Sequence, residues 1–148
     1  MRTGGFMASV IFHFASIEVD LQVGPDLCDI TDDLNRIVGR SGIENGLLAA
    51  NIVGSTGSLT TIEAESGVVQ DLKDAINRLA PKDLAYAHEL AWHDGNGHSH
   101  VQAAIMGPSV SLAIRKGRLK LGTWQQVVAI NHDNRTRRRS IEVTMTGV

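Results

Sequence analysis

The chain has 148 residues, 43% of them hydrophobic and 20% charged. This composition predicts one folded domain over residues 1–148 and excludes a multidomain enzyme or a disordered segment. Its single cysteine, Cys28, excludes an internal disulfide and a cysteine-rich zinc site. The apolar stretch at residues 6–15 is far shorter than the roughly 20 residues of a membrane span, so we expect a cytoplasmic protein.

Charge is distributed unevenly, although the net charge is only −2. Residues 1–94 hold 14 acidic and 6 basic side chains, whereas residues 95–148 hold 2 acidic and 8 basic ones. This asymmetry indicates an anionic ligand, complementary packing between the two halves or between subunits, or basic side chains on solvated strand edges. Nucleic acid is the least favoured ligand, because the whole chain is mildly acidic and offers no aromatic platform beside its arginines.

The first part of the chain predicts strands that alternate with two amphipathic helices. The strands follow from apolar runs and two-residue alternation, and the helices from apolar spacings of three and four residues. In order, we predict a strand at 10–23, a helix at 32–41, strands at 46–52 and 59–63, and a helix at 66–79. The polar stretch 81–97 predicts a structured loop with one helical turn.

The remainder predicts an antiparallel meander, with turns at Lys116-Gly117 and Asp133-Asn134. Its strands are predicted at residues 101–105, 110–114, 119–130 and 141–145. Together with the two helices this pattern indicates an α+β fold.

Four of the six histidines fall within thirteen residues. If His98 and His100 begin a strand, they lie on the same face of it, because side chains alternate along a strand. The glycine-rich turn after His88 reverses the chain direction, so we expect His88 to lie beside the other two histidines and to add a third imidazole. We therefore predict a divalent metal, zinc first, on His88, His98 and His100, with surface or hydrogen-bonded histidines as the alternative. His13 and His132 are isolated and receive no role.

Three other charged residues are candidates for the chemistry of a site. Glu63 lies at the end of a predicted strand, where it can serve as a general base or metal ligand, or simply as an acid at the entry of the next helix. Arg137 and Arg139 share the strand parity of Ile141, so both extend the core-facing side at its rim. We predict that they meet a phosphate or a carboxylate of a neighbouring subunit.

Three motifs in this order and spacing resemble the YjbQ-like family, also called the secondary thiamine-phosphate synthase family. They are Asp94-Gly95-Asn96-Gly97-His98-Ser99-His100, Gly107-Pro108-Ser109 and Leu121-Gly122-Thr123-Trp124-Gln125-Gln126. The resemblance covers residues 14–147. It implies a mostly antiparallel β-sandwich or barrel-like core with two main flanking helices, a homotrimer or hexamer, and a histidine-lined metal or anion site. It also implies a weak activity that joins a pyrimidine pyrophosphate to a thiazole phosphate.

Within this resemblance His88, Asn96 and His100 match the family's loop, and Glu63 matches an acidic residue after a threonine-rich strand. Asn96 and Glu63 thereby become catalytic candidates. Many members have His-Thr-Thr where this chain reads Gly54-Ser55-Thr56, so one family histidine is missing and His98 is its candidate replacement.

Two functions follow from these residues. The first is a metal-dependent enzyme that acts on a small phosphorylated substrate, and the second is a non-catalytic oligomeric module that binds metal or anions. Neither function involves nucleic acid or a membrane.

Overall fold

The computed structural model describes residues 9–148, so the beginning of the apolar stretch at 6–15 lies outside the described residues. The strands are β1 (Ile11–Leu21), β2 (Asp26–Asp29), β3 (Asn45–Ile52), β4 (Gly57–Ile62), β5 (Ser109–Arg115), β6 (Arg118–Leu119), β7 (Gln126–Asn131) and β8 (Arg137–Gly147). The helices are α1 (Thr31–Ser41), α2 (Ser66–Leu79), α3 (Glu89–Trp92) and α4 (Gly97–Met106).

The strands form two antiparallel sheets. One sheet has five strands in the order β1-β8-β3-β5-β6, and the other has three in the order β2-β7-β4. Both sheets and α1 contribute side chains to one hydrophobic core. The predicted α+β fold with a mostly antiparallel sheet core is confirmed.

Regular apolar spacing explains the elements that the sequence predicts well. In β8, Ile141, Val143 and Met145 are buried and alternate with exposed residues. In α1, Leu34 and Val38 are buried one turn apart, and the helix ends at Gly42 with a φ of 76°. Both predicted helices and the single helical turn in the 81–97 loop are found at the expected places.

The strand predicted at 101–105 is wrong, because this stretch lies in α4. The alternating apolar residues Val101 and Ile105 are 40% and 56% exposed, whereas the buried face carries polar and small side chains. That face comprises His98, Ser99, Gln102 and Ala103. Since its period of three to four residues is carried by polar positions, hydrophobic periodicity could not reveal it.

Two further strand predictions also differ from the structure. The strand predicted at 119–130 is interrupted between β6 and β7 by a turn in which the Gln125 amide donates to the Gly122 carbonyl at 3.1 Å. The four-residue strand β2 was not predicted, because it is too short to show a period. It pairs with β7 at the edge of the smaller sheet.

Helix α4 packs against β4. The Gln102 side chain donates to the Ala80 carbonyl at the end of α2 over 2.9 Å, which ties α4 to α2. The beginning of α4 therefore lies beside the beginning of β4 and the turn between β7 and β8. Among residues 9–148, no helix has the length and hydrophobicity needed to cross a membrane.

Candidate functional site

Buried polar residues are concentrated at one end of the molecule, where α4 meets β4 and the β7–β8 turn. They are Thr56, Ser58, Asn96, His98, Ser99, Gln102, Asn131, His132, Asp133 and Arg139. Because a buried polar group without a partner is costly, each of these residues calls for a defined arrangement of neighbours. This polar end is the candidate site.

Two arginines in this region share one carboxylate. Arg137 Nε lies 2.9 Å from Asp133 Oδ2, and Arg139 Nη2 lies 3.9 Å from the same oxygen. The Arg139 side chain is only 7% exposed, whereas that of Arg137 is 44% exposed. One negative charge therefore faces two positive charges, one of them inside the protein. The parity predicted for Arg137 and Arg139 agrees with this arrangement, and the neighbouring Arg138 instead pairs with Glu18.

Arg139 uses only part of its hydrogen-bonding capacity. Its Nη2 donates to the Thr56 carbonyl, the Thr56 hydroxyl and the Asn131 amide oxygen. Its Nε is buried without a partner. Its Nη1 makes no hydrogen bond to residues 9–148, and a Cβ at Gly54 would lie 2.9 Å from that nitrogen. Nη1 thus has donors left for a ligand.

The contacts within this cluster determine the protonation states of Asp133 and Arg139. Burial alone would raise the pKa of Asp133, but hydrogen bonds from Arg137 and Thr56 and the charge of Arg137 lower it overall. Asp133 is therefore ionised at neutral pH. Burial lowers the pKa of Arg139 while the charge of Asp133 opposes that change. Arg139 stays protonated, because a guanidinium starts from a very high pKa.

A pocket of about 390 Å³ lies over the two arginines. Its lining brings together Asn96 and His100 with Arg137 and Arg139. These four predicted site residues come from the loop before α4, from α4 itself and from β8. The remaining polar lining includes Asp94, Asp133 and the turn between β3 and β4.

Potential metal ligands lie at one side of this pocket. Ligand atoms of His88, Glu89 and Asp94 all lie within 4.8 Å of one another. His88 Nε2 lies 3.3 Å from Asp94 Oδ1, and it is buried without a hydrogen bond. The rings of His88 and His100 are 4.6 Å apart between centroids. The ligand atoms of His88, Glu89 and Asp94 are thus at a range that suits a divalent metal, and the His100 ring lies beside His88.

Glu89 also forms hydrogen bonds to the backbone of the loop before α4. Its carboxylate accepts hydrogen bonds from the amides of Gly95 at 2.7 Å and Gly97 at 3.0 Å. The bond from Gly95 lowers the pKa of Glu89 more than any other contact does. Glu89 therefore holds the loop that leads into α4, so His88 and Asp94 are the better metal ligands.

His98 lies apart from the other two predicted metal ligands. It is 2% exposed, its Nε2 is 3.2 Å from the Ser99 hydroxyl, and its ring is next to Tyr86. Two residues along a helix rotate a side chain by about 200°, so His98 and His100 point in different directions. The structure brings together His88 and His100 but not His98. The shared strand face that motivated the set of three is replaced by a helix.

Glu63 lies outside the pocket. It is exposed, and it follows β4 at the end away from Thr56. Seven strand residues span about 23 Å, which separates Glu63 from the arginines of the same chain. The acid at the entry of α2 is Glu65, whose carboxylate accepts from the amides of Gly67 and Val68.

Sequence reasoning missed a buried hydrogen-bonded chain around His132. Its Nε2 lies 2.7 Å from the Ser58 hydroxyl, and its Nδ1 lies 3.2 Å from Gln102 Oε1. Since Gln102 donates its amide to Ala80, its oxygen must accept, so His132 carries its proton on Nδ1. Burial lowers the pKa of His132 to about 4, which keeps the imidazole neutral.

Asp133 and Thr56 were also missed. The sequence pattern predicts Asp133 only as a turn residue, yet Asp133 lies four residues before Arg137 and accepts a hydrogen bond from the Thr56 hydroxyl at 2.9 Å. Adjacent Asn134 joins both sides of the site, since its amide donates to Asn96 Oδ1 and its side chain to the Asp94 carbonyl. An acid shortly before an arginine cluster was the available signal for Asp133.

Comparison with known proteins identifies the family. The family model described as "UPF0047 protein YjbQ-like" matches residues 15–148. The chain belongs to the YjbQ-like UPF0047 family. The UPF0047 protein of Methanothermobacter thermautotrophicus is 32% identical over 82% of this chain and 83% of its own length. UPF0047 protein YjbQ of Salmonella typhimurium is 32% identical over 80% of this chain and 86% of its own.

Solved YjbQ-like structures share the fold. A protein from Sulfolobus solfataricus, described as YbjQ-like and of unknown function, superposes with a TM-score of 0.89 at 30% identity. The match covers 95% of this chain and all of the other. A YjbQ/UPF0047 protein from Clostridium acetobutylicum has a TM-score of 0.77 at 31% identity over 87% of this chain and 98% of its own. These matches confirm the YjbQ-like resemblance, and the family's function is unknown.

Proposed function

We propose that the pocket over Arg137 and Arg139 binds the phosphate of a small molecule next to a divalent metal, and that the chain is an enzyme acting on that molecule. One observation carries the proposal: two guanidinium groups share the single carboxylate of Asp133. A positive charge held inside a protein without full compensation is costly, and a bound anion supplies the missing negative charge. Arginine donors suit phosphate oxygens in particular.

The turn between β3 and β4 adds further donors to this pocket. The backbone amides of Gly54, Ser55 and Thr56 donate to no acceptor within the described part of the chain. All three residues line the pocket. Successive backbone amides form concave binding sites for anions, which supports phosphate as the ligand.

The proposed metal is bound by His88 and Asp94 with His100 beside them, and zinc suits imidazole ligands best. Bound there, it would neutralise charge on the phosphorylated substrate. A transfer of the thiamine-phosphate synthase type is the reaction that the family resemblance implies. Asn96 borders the pocket and remains a catalytic candidate. Because Glu63 lies far along β4 from the arginines of its own chain, it would have to act on the site of a neighbouring subunit.

Phosphate binding is tested by titration calorimetry with inorganic phosphate and pyrophosphate. We expect Arg137→Gln and Arg139→Gln each to weaken binding at least tenfold, since each removes a charged donor. Arg118→Gln, on an exposed position of β6, is the matched control and should bind as the parent does. Parent-like binding by both pocket variants would overturn the proposal.

Metal binding is tested separately by elemental analysis of purified protein. His88→Ala and His100→Ala should both lose the metal, whereas His98→Ala should keep it. His93→Asn is a suitable control, because His93 is exposed and asparagine tolerates its φ of 51°. Equal metal content in all variants would remove the metal from the proposed function.

A second candidate function is a non-catalytic oligomeric binding module. It is supported by Phe12, Phe14 and Leu47, which are 67%, 71% and 46% exposed on the five-stranded sheet. Such a surface suits contact with further copies, and the resemblance implies a homotrimer or hexamer. Light scattering distinguishes the two functions. A fall in assembly mass in the arginine variants, with phosphate binding unchanged, would favour the module.

A further inference from the structure

The arginine pocket adjoins a second pocket of different chemistry. This second pocket has a volume of about 360 Å³ and shares Gly54, Ser55 and His100 with the first. Its other walls are Gly57, Ala103, Ala104 and Pro108. The two pockets therefore adjoin and form one depression only through their shared wall, with charged groups lining the first and small apolar side chains lining most of the second.

The apolar end is built by the same helix that supplies His100. Ala103 and Ala104 lie one turn further along α4, and Pro108 follows the end of that helix. Apart from His100, no side chain of the second pocket's lining carries a charge or an amide. A ligand bound at Arg139 therefore has alanine and proline surface within reach of its other end.

We propose that the natural ligand is a phosphate monoester with a compact apolar or aromatic body. This inference rests on the proposed function and specifies its substrate class. The phosphate binds between Arg137, Arg139 and the Gly54–Thr56 turn, while the body covers Ala103, Ala104 and Pro108. His100 lies at the junction, close to the ester oxygen that links the two parts.

Other ligand classes fit this lining less well. Free phosphate would leave the apolar end of the depression in water. A nucleotide would bring sugar hydroxyls and polar base edges against alanine and proline, where they would lose hydrogen bonds to water without replacement. An apolar body needs no such partners, and it gains from the removal of its surface from water.

The test compares methyl phosphate with phenyl phosphate by calorimetry in one buffer on the same protein preparation. Both compounds carry the same monoester group, and only phenyl phosphate has a body that can reach Ala103 and Ala104. We expect phenyl phosphate to bind about tenfold more tightly than methyl phosphate, because burying about half of a phenyl ring contributes a free energy of that size. Phenol alone should bind far more weakly than either compound.

One variant tests the location of the body. Ala104 is exposed on α4, so Ala104→Gln is expected to fold while placing a polar side chain across the apolar end. This variant should lose the preference for phenyl phosphate and keep its affinity for methyl phosphate within about twofold. The matched control is Ile105→Gln, an exposed neighbour that lies outside the second pocket.

The outcomes separate this inference from the proposed function. Equal binding of methyl and phenyl phosphate would overturn the inference and leave phosphate binding intact. Persistence of the phenyl preference in Ala104→Gln would also overturn it. If the parent protein binds neither compound, nor inorganic phosphate, the proposed function fails and the inference fails with it.

Discussion

The two parts of the interior differ in what holds them together. Between the five-stranded sheet and α1, the buried side chains are aliphatic, as in Leu34, Leu48 and Ile141. Below α4 they are polar, and hydrogen bonds join Ser58, His132 and Gln102 in a chain. The aliphatic part needs only volume and burial, because hydrophobic packing has no direction. The polar part needs a specific partner at each atom.

This difference explains why the proposed ligand site lies in the polar part of the interior and not in the aliphatic part. An aliphatic core has no unpaired polar groups that a ligand could bind. In the polar part, Arg139 Nη1 makes no hydrogen bond to residues 9–148 and one carboxylate serves two arginines. A ligand that supplies the missing acceptors gains from an arrangement that the fold already maintains.

The largest effect is expected in the aliphatic part. Leu34 is completely buried, so Leu34→Ala should lower the free energy of unfolding by about 3 kcal/mol, measured by urea denaturation. Leu84→Ala, at an exposed position, should change it by less than about 0.5 kcal/mol. Folded Leu34→Ala should bind phosphate as the parent does. A weakened affinity would show that the two regions are not independent.

A pH titration examines the polar part. The pKa of His132 falls from 6.5 to about 4 on folding, so between these values the unfolded chain binds a proton that the folded chain excludes. Stability is therefore fully present above pH 6.5 and decreases as the pH falls towards 4, by about 3 kcal/mol. Burial also lowers the pKa of His98, which adds to the same loss.

The variant that isolates this effect is His132→Asn, followed by thermal or urea unfolding at several pH values. Asparagine does not titrate, so the part of the slope that comes from His132 should disappear. The contribution of His98 should remain, together with the losses from Asp133 and Glu89 at the acidic end of the range, because folding also lowers the pKa of these two carboxyl groups. An unchanged slope would mean that His132 is already hydrated in the folded protein.

A smaller effect is expected from Gln102→Leu. This change removes the hydrogen bonds to Ala80 and His132 and leaves two buried groups unpaired, which costs about 2 kcal/mol. Gln70→Leu removes an exposed bond to Asp74 and should cost less than about 0.5 kcal/mol. If Gln102→Leu were neutral in urea denaturation, the polar part would be held by packing alone.

The sequence predicted the aliphatic part well. The helices α1 and α2 and the strand β8 carry regular apolar periods, and a period is what a hydrophobic core imposes on a sequence. The failures occur where that signal is absent. Helix α4 buries His98, Ser99 and Gln102, so its apolar residues gave the period of a strand.

The site was predictable only in part, for a similar reason. Arg137 and Arg139 follow from strand parity, and His100 and Asn96 from the motif before α4. Thr56, in contrast, contacts Asp133 across 77 residues of sequence, and a single sequence contains no record of that contact. The separation of His98 from His100 likewise follows from α4, which the apolar pattern hid.

The glycine at position 54 determines which side chains the turn beside Arg139 can carry. Its φ of 118° is one that residues with a side chain rarely adopt, and a Cβ there would approach Arg139 Nη1 to 2.9 Å. A side chain at this position would strain the backbone and push against the Arg139 guanidinium, which is held by Thr56 and Asn131. A histidine at position 54 is therefore compatible only with a different conformation of this turn and a shifted Arg139 side chain.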